Sequence, residues 1–148
     1  MIMNRIKRSL LVGGLVLTAS AGLAGVSEAS ASKCNHNYSK WFDSCISVKG
    51  TSTYVQTVSG TMTNEGSSYS YGWKRFLSCP SNALTTSCTS IYNGPIVKVE
   101  GGSTYFSPVV TYNRNFADRS WICSESIWHA NSTGQNVSSS YVCIQILA

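Results

Sequence analysis

Few side chains in this sequence could take part in acid–base chemistry. Beyond residue 31 it has two histidines and five carboxylates, which are His36, His129, Asp43, Glu65, Glu100, Asp118 and Glu125. Histidine titrates near neutral pH and is therefore the usual general base. Glu125 and His129 are four residues apart, so on a strand they would share a face but lie roughly 13 Å from each other. A small secreted hydrolase would therefore need a site built from separate segments, around His129 and Asp118.

The short motifs of common catalytic and cofactor sites are missing from the sequence. It has no Gly-x-Ser-x-Gly elbow for a nucleophilic serine and no glycine-rich phosphate loop. Cys34 and His36 are close in sequence, but no Cys-x-x-Cys pair accompanies them. We therefore predict no metal site, no cofactor and no catalytic residue.

Residues 1–31 have the layout of a secretory signal peptide. A basic start is followed by an apolar, glycine-containing run over 10–23, which is shorter than the roughly 20 residues of a spanning helix. We predict cleavage after Ala31, a secreted extracellular protein with no membrane span, and a single β domain at 32–148. The leader holds three of the 11 basic residues and one of the six acidic ones, so its removal lowers the net charge from +5 to about +3.

The last segment, 121–147, has the pattern of a β-hairpin. Two runs rich in β-branched and aromatic residues flank a cluster of turn formers. Folding the segment about Thr133 places Cys123 directly opposite Cys143, close enough for a disulfide. The same register places Ile122 opposite Ile144.

Six cysteines in an exported chain predict three disulfides. The hairpin register predicts Cys123–Cys143, the short intervening loop predicts Cys79–Cys88, and elimination leaves Cys34–Cys45. The competing arrangement is a bridge between sheets, such as Cys45 to Cys123.

Short runs with alternating apolar and polar residues continue along the rest of the chain, at 41–49, 53–63, 69–77, 89–92, 96–100 and 104–112. Pro108 cannot donate to a ladder, so its strand belongs on an edge or at a bulge. The polar segment 32–40 is predicted to be an irregular arm. Seven or eight short strands without a helical period predict an all-β fold, a small disulfide-stabilised antiparallel β-sandwich or barrel after a cleaved signal peptide.

One of these runs carries a row of aromatic residues on one face, Tyr69, Tyr71 and Trp73. Such rings could stack on sugars, because their faces are apolar and their edges polar. They could equally fill a core, because aromatic residues favour strands. The opposite face, which includes Lys74, is made of small and polar residues typical of a solvent-exposed surface, so we predict that the aromatic face is buried.

Two further features are candidate binding residues. The Cys79–Cys88 loop would present Ala83, Leu84 and Thr85 near its tip, as a rigid protease-inhibitor loop does, with Leu84 entering the protease pocket. Trp128 is the second candidate. Trp121 and Trp128 fall on opposite faces of their strand, so at least one ring is expected at the surface.

The charge pattern limits the class of partner. Lys74-Arg75 is the only adjacent basic pair beyond the leader, so no nucleic-acid partner is predicted. Mild positive charge instead favours an anionic cell surface. The leading prediction is a non-enzymatic binding or interaction protein that acts on a cell-envelope component or an extracellular protein, including as an antagonist. A protease inhibitor using the Cys79–Cys88 loop and a small secreted hydrolase are the alternatives.

Overall fold

The computed structural model describes residues 29–37, 42–129 and 136–148, which form antiparallel β-strands. These strands are β1 (Ala29–Asn37), β2 (Phe42–Thr51), β3 (Tyr54–Asn64), β4 (Ser70–Cys79), β5 (Thr89–Asn93), β6 (Val97–Val99), β7 (Ser103–Phe106), β8 (Val110–Asn115), β9 (Trp121–His129) and β10 (Asn136–Gln145). Across the described residues, no helix has the length and hydropathy needed to span a bilayer.

The strands make two sheets, which confirms the all-β prediction and selects the sandwich over the barrel. Sheet A has the order β1-β2-β3-β7, with β8 also paired to β3. Sheet B has the order β10-β9-β4-β5, with β6 also paired to β4. A sheet hydrophobic on one face must bury that face against another element, and here the two sheets bury theirs against each other.

The terminal hairpin has the predicted register. In the β9–β10 pair, Cys123 lies opposite Cys143 and Ile122 lies opposite Ile144, and the two cysteines form a disulfide. Residues 130–135, including the predicted turn centre at Thr133, lie outside the described residues.

The other two predicted disulfides are also present, so the alternative bridge between sheets is wrong. Cys34–Cys45 joins the paired strands β1 and β2. Cys79–Cys88 closes the loop between β4 and β5. All three bridges therefore connect neighbouring segments, and the contact between the sheets depends on packing and hydrogen bonds.

Two local predictions need correction. The polar segment predicted as an arm forms strand β1 through 37, because backbone pairing with β2 requires no apolar side chains; residues 38–40 lie outside the described part. The run 104–112 is two strands, β7 and β8, which pair with β3 on either side of a break at 107–109. There Ser107 exchanges backbone and hydroxyl hydrogen bonds with Gly60. Pro108 was predicted within a strand on an edge or at a bulge, but it lies in the break between β7 and β8.

The predicted signal peptide lies almost wholly outside the described residues, so its cleavage stays a prediction. Ala29 to Ala31 form the first part of β1, paired with β2. Cleavage after Ala31 would leave β1 from Ser32 to Asn37 in place.

The core lies between the sheets and has two parts. The larger contains Ile46, Val48, Val55, Val58, Phe76, Ile122, Val142, Ile144 and Ile146. The smaller contains Met62, Val99 and Trp128. A third apolar cluster, around the Cys123–Cys143 disulfide, includes Leu77 and Cys79 and packs against Leu84. Burial of a large apolar side chain contributes roughly 1.5–3 kcal/mol, so these clusters account for much of the driving force for folding.

Candidate functional site

The aromatic row lies on the solvent-facing side of sheet B, so the prediction that it is buried is wrong. Gly72 and Phe76 of β4 point between the sheets and are buried. Strand residues alternate between faces, and the row therefore points outward. Tyr69 is 56% exposed, and Tyr71 and Trp73 are half-buried.

Lys74 explains why the row faces solvent. Its side chain lies between the sheets, 1% exposed. Its ammonium donates hydrogen bonds to the Thr61 carbonyl at 2.7 Å, Ser126 Oγ at 3.0 Å and Ser44 Oγ at 3.1 Å. An ammonium group has three donors, and all three are satisfied. Gly60 makes space for it, since a Cβ there would lie 2.5 Å from Lys74 Cε.

Burial lowers the pKa of Lys74 from 10.5 to about 7, because desolvation disfavours the charged form. A lysine amine beside serine hydroxyls is an arrangement found in nucleophilic sites. Here, however, Ser44 and Ser126 are both 0% exposed and hydrogen-bond to each other at 2.9 Å. No substrate can reach these hydroxyls in this conformation, so the group serves as a polar connection between the sheets.

The outer side of sheet B carries a mixed aromatic and cationic surface. We call it the aromatic face: the rings of Tyr69, Tyr71 and Trp73 with the cations of Arg75 and Lys98. Lys98 Nζ lies 4.3 Å from the centroid of the Tyr69 ring, and Arg75 Cζ lies 5.6 Å from that of Trp73. Both separations fall within the range of cation–π attraction.

The rings do not form one flat plane. Tyr69 and Tyr71 meet edge to face, with centroids 5.9 Å apart and planes at 83°. A ligand in this corner would contact one ring through its face and the other through its edge. Such a corner suits a molecule that has both apolar faces and hydroxyl groups.

Acidic side chains hold the two cations in place. Arg75 Nε lies 2.5 Å from Glu125 Oε2 on the neighbouring strand β9. Lys98 Nζ lies 2.8 Å from Glu100 Oε1, and this hydrogen bond raises the pKa of Lys98. Both cations keep part of their surface in solvent, with side-chain exposures of 32% for Arg75 and 46% for Lys98.

The Cys79–Cys88 loop lies against the third apolar cluster, which contains the Cys123–Cys143 disulfide. Leu84 is half-buried and packs against that cluster, and Ala83 is half-buried. Thr85 is exposed, and its carbonyl accepts the Cys88 amide at 3.1 Å. The loop thus turns Leu84 inward, whereas a protease inhibitor needs its specificity residue to protrude.

Trp128 is buried and is not a surface ring, and its predicted binding role stays a prediction. It is 0% exposed and stacks on Phe42 with centroids 4.1 Å apart. Trp121, on the other face of β9, is half-buried. Large aromatic residues fill the space between sheets well, and strand alternation alone could not show which face that was.

The structure does not bring His129 and Asp118 together. Asp118 precedes β9 and accepts the Ala148 amide through Oδ1 at 2.9 Å, whereas His129 ends the same strand. Nine extended residues span roughly 30 Å. His129 is 5% exposed, and within the described part of the chain its ring nitrogens have no hydrogen-bond partner. The catalytic pair of the hydrolase alternative is therefore not formed.

A second group, which sequence reasoning missed, lies on sheet A. His36, Asp43 and Glu65 place their ligand-type atoms within 4.8 Å of one another. The pairing of β1 with β2 offers a sequence signal from which the closeness of His36 and Asp43 could have been predicted. Cys34 opposite Cys45 implies His36 opposite Asp43, by the same mirror symmetry that predicts the terminal disulfide.

Comparison with known proteins gives no family for this chain. No protein-family model matches it, and no curated protein matches its sequence.

Proposed function

We propose that this protein is secreted and acts outside the cell as a non-enzymatic binding protein for acidic glycans of the cell envelope. The aromatic face is the binding surface. The observation that carries the proposal is the outward placement of Tyr71 and Trp73 on β4, next to the exposed ring of Tyr69, which directly precedes that strand. Three disulfides support an extracellular setting, because such bonds persist in oxidising compartments.

The chemistry of the aromatic face selects the ligand class. Sugar rings have apolar faces that pack on aromatic side chains and hydroxyl groups that hydrogen-bond to polar edges. Arg75 and Lys98 lie beside these rings and favour carboxylate or phosphate substituents on the sugar. A polysaccharide with repeating acidic sugars would make both kinds of contact, ring packing and charge pairing, along β4.

The position of the aromatic face on rigid elements supports the same function. Trp73 lies opposite Ile127 of β9, and Tyr71 lies between His129 of β9 and Lys98 of β6. Strands on both sides of β4 fix its backbone, so little conformational entropy is lost when a ligand binds.

Substitution of Tyr69 and Trp73 tests the proposal. The protein is titrated with polygalacturonate as the acidic polysaccharide and with a neutral β-glucan for comparison. Tyr69→Ala and Trp73→Ala should each weaken polygalacturonate binding about two- to twelvefold, since an aromatic contact contributes about 0.5–1.5 kcal/mol. The thermal midpoint should change little for Tyr69→Ala, because that ring is mostly exposed.

The matched control is Phe106→Ala, which removes a ring that is 72% exposed on sheet A. It should bind as the unsubstituted protein does. An equal loss in the control would mean that binding is not localised to the aromatic face. The absence of binding to either polysaccharide would overturn the proposed ligand class.

A further inference from the structure

The end of sheet A brings together a histidine and two carboxylates. Asp43 of β2 lies between His36 of β1 and Thr63 of β3 in the strand register. Glu65 follows β3 directly, in the loop that leads to β4. One ligand-type atom from each of His36, Asp43 and Glu65 lies within 4.8 Å of the others. We call these three residues the His36 cluster.

Asp43 supplies the second observation that points to a ligand. The residue is 8% exposed, and its Oδ2 lies 2.6 Å from His36 Nδ1. Its other oxygen, Oδ1, is buried and has no hydrogen-bond partner among the residues that the structure describes. A buried carboxylate oxygen left unsatisfied is costly, and such groups in proteins are normally paired or bound to a metal.

An ion pair alone does not account for the His36 cluster. The contact with His36 satisfies only Oδ2 of Asp43, and the carboxylate of Glu65 lies close to that of Asp43. Two carboxylates in one place repel each other unless positive charge is shared between them. A divalent cation held between the two carboxylates would offset this repulsion, and the second oxygen of Asp43 is a further potential ligand for it.

We propose that His36, Asp43 and Glu65 bind a divalent transition-metal ion of the zinc type. One imidazole among the donors disfavours calcium and magnesium, which take oxygen ligands. Zinc binds histidine nitrogen and carboxylate oxygen at about 2.0–2.2 Å, so its ligands lie roughly 3–3.5 Å apart. The exposed side chain of Glu65 can move the short distance from the present spacing to that one. The bound ion would tie β1 and β2 to the loop that leads into Tyr69, at one end of the aromatic face.

Zinc titration tests the site directly. The full chain, with its disulfides intact and no histidine tag, is treated with a chelator and then titrated with Zn²⁺ alone by calorimetry. We expect saturable binding of one ion per chain and a higher thermal midpoint with zinc present. His36→Gln and Glu65→Gln should each weaken binding at least about tenfold, because each removes one of three ligands. The His36 side chain is 48% exposed and Glu65 is an exposed residue, so the folded state should survive both substitutions.

Glu100→Gln is the matched control, since its side chain is a 63% exposed carboxylate outside the His36 cluster. It should bind zinc as the unsubstituted protein does. Absence of saturable zinc binding would overturn the proposal, as would unchanged affinity in both cluster variants. An equal loss in Glu100→Gln would indicate nonspecific attraction to acidic groups and would overturn it too. Polygalacturonate binding is measured separately, so this result does not depend on the proposed function.

Discussion

Lys74 is the residue whose environment departs furthest from its sequence pattern. Lys74 shares a strand face with Ser70 and Gly72, and this small, polar face favours an exposed lysine. The structure buries it because acceptors from both sheets meet at its ammonium. Ser44 and Thr61 belong to sheet A, and Ser126 belongs to sheet B. These partners come from distant parts of the chain, so no local pattern could have predicted them.

The buried lysine predicts a specific pH dependence of stability. Its pKa is about 7 in the folded protein and 10.5 for the ordinary side chain. Below about pH 7 both states are protonated, and Lys74 contributes no pH dependence. Between about pH 7 and 10.5 the unfolded chain binds the proton and the folded chain does not. Stability from this group therefore rises with pH over that window.

Lys74→Met isolates the effect. The variant keeps a similar shape but cannot titrate. We expect the free energy of unfolding of the unsubstituted protein, measured relative to the variant by urea denaturation, to increase from about pH 6 to about pH 9.5. A difference that stays constant over this range would contradict the lowered pKa. Other titrating groups are common to both proteins and cancel in the comparison.

At the scale of elements, the sequence predicted the strands and the terminal hairpin well. Mirror symmetry about one turn was sufficient to align Cys123 with Cys143, because side-chain period and pairing are both fixed by strand geometry. The face of each strand was harder to predict. Both faces of β9 are buried. The alternation of apolar and polar residues therefore could not show which face of β9 Trp128 occupies.

Removal of the hairpin disulfide should destabilise the protein without changing its topology. Cys123→Ala combined with Cys143→Ala opens a loop of sequence separation 20, and the expected loss is about 3 kcal/mol in the free energy of unfolding. The pair Cys79→Ala and Cys88→Ala opens a separation of only 9, so its loss should be smaller, about 2.5 kcal/mol. Guanidinium titration of both variants measures the two losses. A loss of less than about 1 kcal/mol for the hairpin pair would contradict a bridge that restricts the unfolded chain.

At the scale of the whole molecule, the two sheets carry different chemistry on their outer sides. Sheet B presents the aromatic face at one end, while the Cys79–Cys88 loop packs at the cluster around the terminal disulfide. Sheet A carries the His36 cluster at the end where β1 and β3 finish. The residue types of both surfaces can be read from the sequence, but their grouping in space cannot. Their grouping depends on the pairing of β4 with β6 and β9, and on the loop between β3 and β4, which one-dimensional patterns do not fix.

The last prediction concerns the positive net charge of the molecule, which is +5 over the full sequence and about +3 without residues 1–31. If acidic glycans bind at the aromatic face, affinity should fall as salt is raised from about 0.05 M to about 0.5 M, because the Debye length shortens from roughly 14 Å to about 4 Å. Binding of a neutral glucan, where present, should change far less, since stacking on Tyr69 and Trp73 does not depend on counterions.

Two lysine substitutions separate a local effect from the overall charge. Lys98→Gln removes the ammonium that lies 4.3 Å from the Tyr69 ring centroid, and Lys49→Gln removes an exposed ammonium on sheet A. Both lower the net charge equally. We expect Lys98→Gln to weaken polygalacturonate binding and to flatten its salt dependence, and Lys49→Gln to leave both nearly unchanged, as measured by calorimetry at each salt concentration. Equal effects of the two substitutions would show that the whole positive charge of the molecule, and not the aromatic face, attracts the polymer.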